Sequence, residues 1–236
     1  MSAARRDSLG VVTGLLAEAE CLRRARAWTP DDRPTTFCSG GSAERARLGA
    51  DALIAAGASA LLSFGIAGGL DPALRPGAVV VASEVVTPQG RRIATDFAWR
   101  EATARALAGV VPAVVAPIAG TDRPLVTPAD KAKLRGSSGA AVVDMESHAV
   151  AEAAAARSLP FLAVRAIGDP AHRSVPQSAL AGLGPGGETL VLPVLVAVLR
   201  RPWEWPALIC VGIESAAGLR ALRRVAQAGG AAFFRG

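Results

Sequence analysis

Three carboxylates stand at the ends of apolar runs in this chain: Glu18 after LGVVTGLLA, Glu146 in VDMES, and Asp169 at the close of PFLAVRAIGD. An apolar run read as a strand delivers the residue at its carboxyl end to the sheet edge where α/β proteins bind ligands. Carboxylates gathered there can stabilise a developing cation or move a proton. Each also has a plain structural reading. Glu18 can be a solvated helix carboxylate, Glu146 a charge favoured by a helix N-terminus, and Asp169 an acid capping the turn before Pro170. Asp144 ends the same apolar run that precedes Glu146 and, by position alone, is as good a candidate.

Two glycine-rich segments lie between these acids. CSGGSAER holds Gly40, Gly41, Ser42 and Arg45 in a turn entering a helix, where backbone N–H groups can hold an anion such as phosphate. SFGIAGGL holds Ala67, Gly68 and Gly69 after an apolar strand. It lacks both the G-x-G-x-x-G spacing and a ribose-binding acid downstream, so a dinucleotide site is not supported. Three widely spaced cysteines and two histidines offer no metal-ligand spacing and no disulfide framework. That pattern predicts no metal and a reducing, cytoplasmic setting. The chain has no tyrosine and only 4% aromatic residues, which excludes a stacking platform for nucleic acid.

The elements that must position these groups can be read from periodicity. At 236 residues, 51% of them apolar, the chain fits one large α/β domain. The start, ARRDSLGVVTGLL, puts two arginines before an apolar run as a secretory signal does. Asp7 interrupts it, Glu18 and Glu20 close it, and no cleavage site follows, so it reads as a first strand to Leu16. A helix over 17–28, a loop over Thr29–Pro34, and alternating strands and helices follow. Thr127 is placed to N-cap a short helix. Thr87–Asp96 reads as a polar segment without regular structure. Ala140–Asp169 reads as strand, helix, strand. The order predicts a three-layer α/β/α sandwich around a mixed, mostly parallel sheet. The net charge of +6 is uneven: six arginines and two glutamates from Arg200 onward put +4 of it in residues 200–236. Residues 187–236 therefore read as a basic, helical C-terminal extension of a single domain spanning 1–236.

Taken in order, the motifs GLLAEAE, SGGSAERA, SFGIAGGL…RPGAVVVASEV, VDMES and RAIGD resemble the nucleoside phosphorylase/nucleosidase superfamily, of the purine phosphorylase and methylthioadenosine nucleosidase type. The resemblance runs from about Leu9 to Ala171, with Gly168 standing where the family's usual motif has serine. It implies the phosphorylase-like fold and cleavage of the N-glycosidic bond of a purine nucleoside, by phosphorolysis or hydrolysis. It implies that Asp169 protonates the purine, that Glu146 accepts the ribose hydroxyls with Met145 packed on the sugar, and that Glu18 orients the nucleophile. Ala67, Gly68 and Gly69 would let backbone approach the ligand. Gly40, Gly41, Ser42 and Arg45 would be the phosphate candidates, with Arg91 and Arg92 behind them. It implies no cofactor beyond inorganic phosphate as an optional co-substrate, and a homo-oligomer. Asp144 and Arg165 then become structural.

Two departures narrow the expectation. The loop Thr121–Pro124 lacks the ring that the family stacks on the base, and the segment after Glu84 is shorter than in the methylthioadenosine enzymes. The Pro/Gly-rich linker and Arg/Leu tail resemble the hopanoid-associated branch, which releases adenine from adenosylhopane, a nucleoside with a lipid on its 5′ end. On the last helix Leu208, Val211, Leu219 and Leu222 fall on one side, and Arg220, Arg223 and Arg224 on another. RRPWEW places tryptophans beside arginines, so peripheral contact with the inner membrane face is an expectation. A packed terminal helix is its alternative. The alternative enzyme is a soluble methylthioadenosine/adenosylhomocysteine nucleosidase, and the alternative of another class is a non-catalytic nucleoside- or lipid-binding module.

Overall fold

The computed structural model describes residues 8–28, 33–182, 184, 186–188 and 190–233. Residues 29–32 of the expected Thr29–Pro34 loop lie outside them. The chain runs β1 (Leu9–Thr13), α1 (Leu16–Arg23), β2 (Thr35–Cys38), α2 (Ala43–Ala55), β3 (Ala60–Gly69), β4 (Val79–Val86), β5 (Arg92–Ala94), α3 (Phe97–Leu107) and β6 (Ala113–Gly120). It continues with α4 (Pro128–Ser138), β7 (Val142–Asp144), α5 (Ser147–Ala155), β8 (Phe161–Asp169), α6 (Gln177–Leu180) and α7 (Val191–Arg200). A 3-10 turn (Pro202–Glu204) then leads into α8 (Trp205–Phe233).

The expected mixed α/β fold is the one observed, an eight-stranded sheet flanked by helices. The order is β2-β1-β3-β7-β6-β4-β5, and β8 pairs with both β3 and β4. β8 therefore closes β3, β7, β6 and β4 into a ring. Apolar residues on the two faces build two cores. One joins α2 and α5 through Ala46, Ala50, Val150 and Ala154. The other joins α1, α3 and α8 through Leu22, Trp99, Leu222 and Val225.

Two readings change, and the pairing of the last two strands is settled only by the fold. The first strand stops at Thr13, and the helix begins at Leu16 and ends at Arg23. Within the polar Thr87–Asp96 segment, Arg92–Ala94 forms a strand antiparallel to β4; three residues at an edge carry too little periodicity to announce themselves. β7 and β8 do not pair with each other. β7 runs antiparallel to β3 through Gly68↔Val143, whereas β8 runs parallel to β3 along its length.

The apolar side of α8 that suggested membrane contact faces inward. Leu222 and Val225 are fully buried, and Leu219 packs against the same core. Each fully buried aliphatic side chain contributes roughly 1.5–3 kcal/mol, so this half of the helix is held by the body. Leu219 and Leu222 of the expected stripe are thus taken up by the core, while Leu208 and Val211, nearer the start of the helix, are half-buried.

Candidate active site

β3 is the axis of the site. Its Ile66 N–H donates to Glu18 Oε1 at 2.8 Å. Two residues further along, roughly 7 Å by strand geometry, Gly68 stands opposite Asp169.

Glu18 lies in the first turn of α1 and turns back on the chain. Its Oε2 accepts from Gly14 N–H at 2.8 Å and Leu15 N–H at 2.9 Å. This uses helix-start donors that have no partner inside the helix. Burial nonetheless raises its pKa, against the opposing pull of Arg165 and the three N–H groups. The surface-carboxylate reading of Glu18 fails here, since the side chain is 2% exposed.

At the start of α5, two acids divide the work. Asp144 accepts from Ser147 N–H at 3.3 Å and from the Ser147 hydroxyl, and it pairs with Arg165. Asp144 thus caps the helix. Glu146 makes no capping bond and points to Arg165 Nη2 at 3.3 Å. Arg165 is wholly buried and also donates to Ser63 Oγ at 2.7 Å and Ser147 Oγ at 3.1 Å. Glu18, Asp144 and Glu146 thus share one guanidinium, a formal charge of −2 if all three ionise. Burial, reinforced by Asp144 and Glu18, pushes Glu146 up to about 8 against the pull of Arg165. A cation or a pair of donating hydroxyls entering here would meet an electrostatic environment made for it.

Glycine leaves room where these groups crowd. A Cβ on Gly14 would lie 2.7 Å from Glu146 Oε1, and one on Gly65 would lie 2.6 Å from Arg165 Nη1 and 2.7 Å from Glu18 Oε2. Gly41, with φ +72°, brings the second loop within 4.0 Å of Glu146 Oε1 by the same measure. The segments GLLAEAE, SGGSAERA, SFGIAGGL and VDMES therefore meet, with Arg165 of the RAIGD strand between them. Gly68 and Gly69 are crowded by Val143, Asp169 and the Pro170–Ala171 backbone. What their lack of a side chain admits is another part of the protein. Ala67 is buried and Met145 half-buried.

Asp169 is placed by a register shift: Ala67 faces Ile167, and Gly68 faces Asp169, so Gly168 is the extra residue. A bulge of this kind re-aims the next side chain. Burial raises Asp169 to about 6, Glu214 adds to the rise, and Lys131 opposes it. Lys131 is 1% exposed; its ammonium pairs with Asp169 Oδ2 and donates to the carbonyls of Pro170 at 3.0 Å and Arg173 at 3.2 Å. Thr127 does cap α4, its Oγ1 accepting from Asp130 N–H at 3.1 Å, and this sets the turn that carries Lys131. Sequence reasoning missed Lys131. The one available signal is compositional: of 26 basic residues only Lys131 and Lys133 are lysine. A compact ammonium suits three acceptors where a planar guanidinium does not.

Among the phosphate candidates, the Ser42 hydroxyl caps α2 by accepting from Arg45 N–H at 3.3 Å, and the Arg45 side chain is half-buried. Arg91 and Arg92 are drawn into surface pairs with Glu152 and Glu84. Leu16 N–H donates to Gly187 O at 3.0 Å, so the connection after β8 reaches back to the start of α1, beside Glu18.

Residues 31–181 match the family model of the phosphorylase superfamily. No curated protein sequence matches the chain. Among solved structures, the chain is similar to a 5′-methylthioadenosine/S-adenosylhomocysteine nucleosidase from Neisseria meningitidis in complex with methylthio-immucillin-A. The TM-score is 0.70 at 20% identity, covering 94% of this chain and 98% of that one. A futalosine hydrolase from Helicobacter pylori gives 0.68 at 16%, covering 97% and 96%. A nucleosidase from Colwellia psychrerythraea in complex with adenine gives 0.64 at 22%, covering 80% and 94%.

Proposed function

Since the chain belongs to the phosphorylase superfamily, we propose that it is an enzyme cleaving the N-glycosidic bond of a purine nucleoside. The observation that carries this reading is the convergence of Glu18, Glu146 and Asp169 along β3, with one buried cation for each end of the site: Arg165 among the first two and Lys131 on the third. As the bond from C1′ to the purine nitrogen breaks, its electron pair leaves with the base and C1′ becomes cationic. Asp169 transfers a proton to purine N7, so the base departs neutral. Glu146 accepts the two ribose hydroxyls and, with Glu18, faces the cationic sugar; Met145 packs against it. Glu18, held by three N–H groups, orients the nucleophile and takes its proton. Water can serve as that nucleophile. If inorganic phosphate enters instead, Gly40, Gly41, Ser42 and Arg45 would receive it. No other cofactor is required by this chemistry.

We further propose adenosylhopane as the substrate, with adenine as the released base and a role in hopanoid side-chain biosynthesis. The short segment after Glu84 supports a pocket open to a bulky 5′ substituent, and the missing ring in Thr121–Pro124 weighs against a methylthioadenosine enzyme. Contact between the C-terminal helical segment and the inner membrane face would present such a substrate, and a cytoplasmic homo-oligomer is the expected form. The names of the structural neighbours favour the second reading, a soluble methylthioadenosine/adenosylhomocysteine nucleosidase. The test is to incubate the protein with adenosylhopane and with methylthioadenosine, each with and without phosphate, and to identify base and sugar products. Turnover of methylthioadenosine alone establishes the second reading. Asp169→Asn should cut the rate about 10²–10⁴-fold while ligand binding persists; an unchanged rate would point to a binding module.

A further inference from the structure

The outward side of α8 is unlike the side buried in the core. At 100° per residue, Trp205, Ile209, Ile213, Arg220, Arg223 and Arg224 fall within an arc of about 100°. The apolar members lead: Trp205, Ile209 and Ile213 are 44%, 56% and 63% exposed. The arginines follow, all exposed. Glu214, the acid between them, is turned to the other side and paired with Arg173 at 2.6 Å. Beside the arginines lies a cleft of about 530 Å³ with an apolar floor of Leu74, Pro76, Pro112 and Ala217. Its charged walls are Arg75 from the β3–β4 turn, Arg220 and Arg224. None of the three has an acidic partner among the described residues.

We propose that this face docks on an anionic phospholipid bilayer, and that the cleft between Arg75, Arg220 and Arg224 receives a lipid phosphate. This rests on the reading that the C-terminal segment meets a membrane, and it moves the contact from the stripe expected in the sequence to the opposite side of the helix. Large exposed apolar side chains enter the interfacial region, while guanidinium groups at the same surface pair with phosphate oxygens. Trp203, 72% exposed in the turn before α8, extends the aromatic edge. By composition Pro202–Ala228 is long and apolar enough to cross a bilayer. With Leu222 and Val225 in the core, however, the helix lies on the membrane and does not span it. A second copy of the chain is a poor occupant. Parallel α8 helices would oppose arginine to arginine, and antiparallel ones would bury guanidinium against Trp205 and Ile213.

The full chain is to be sedimented with vesicles of phosphatidylcholine alone and with vesicles of equal parts phosphatidylcholine and phosphatidylglycerol. Binding to the anionic vesicles alone is expected. Each arginine near such a surface is worth roughly fivefold in partitioning, so R220Q/R224Q should weaken it about twenty-five-fold. Added inorganic phosphate should leave binding in place, and Ile213→Ser should weaken it on anionic vesicles. Adenine release from a small soluble nucleoside should be the same in all variants, since none touches the site. Binding by R220Q/R224Q equal to the parent overturns the cleft as the lipid site. Loss of binding on addition of inorganic phosphate overturns the bilayer as the source of the phosphate. Absence of binding by the parent chain overturns the membrane reading itself, and it leaves the glycosidic chemistry to its own assay.

Discussion

Lys131→Met removes the one cation that touches the proposed acid among the described residues, and the structure says which way the pH profile must move. Asp169 titrates at about 6 because burial raises it further than Lys131 lowers it, with Glu214 adding to the rise. Acting as an acid, Asp169 must be protonated. In the parent enzyme kcat/KM should therefore hold below about 6 and fall roughly tenfold per pH unit above it. An opposite charge in contact moves a carboxyl by about 1–3 units, so Lys131→Met should carry this basic limb upward by that amount. The maximal rate should fall, because the protonated carboxyl is then the weaker acid. Glu214→Gln removes a raising influence and should move the limb the other way. The assay is adenine release across pH, with kcat and KM resolved and melting temperatures recorded. The Lys131→Met variant also strips the Pro170 and Arg173 carbonyls of a donor, about 1–3 kcal/mol each if they stay buried. The recorded melting temperatures report that loss separately from the movement of the limb. Limbs that stay at the same pH in Lys131→Met and Glu214→Gln would refute the idea that these groups set the acidity of Asp169.

Two further outcomes follow from the buried cluster. Arg165→Leu leaves Asp144 and Glu146 buried without their cation, at a cost of about 3–5 kcal/mol, or roughly 6–20 °C in Tm for a chain of this size; calorimetry that finds the parent's Tm would show that the carboxylates do not need it. Gly14→Ala drives a Cβ against Glu146 Oε1, 2.7 Å away in the parent, and should raise KM with a smaller effect on Tm, because the carboxyl end of Glu146 can swing aside more easily than backbone; unchanged steady-state kinetics would mean that Glu146 does not hold the sugar.

Much of the fold was legible because its signals are local. Apolar runs such as Ala60–Gly69 and Phe161–Asp169 read as strands, Thr127 announced the start of its helix, and the acids at strand ends pointed to one edge of the sheet. The order of the motifs was enough to name a superfamily. Neither signal reports which strands are neighbours. Only the folded chain placed β8 between β3 and β4, set β7 antiparallel to β3, and made Gly168 a bulge that aims Asp169. Asp144 and Glu146 are indistinguishable two residues apart in sequence; Arg165 separates them, taking Asp144 into a helix cap and leaving Glu146 turned to the site. Lys131 lies 38 residues from Asp169, a distance across which no periodicity carries information, and loop closure alone brings them together. On α8, the pattern of leucines and arginines was read correctly as two-sided. Which side faces the protein was decided by packing: the core had a place for Leu222 and Val225, and so the arginines, with Ile209 and Ile213, were left to the outside.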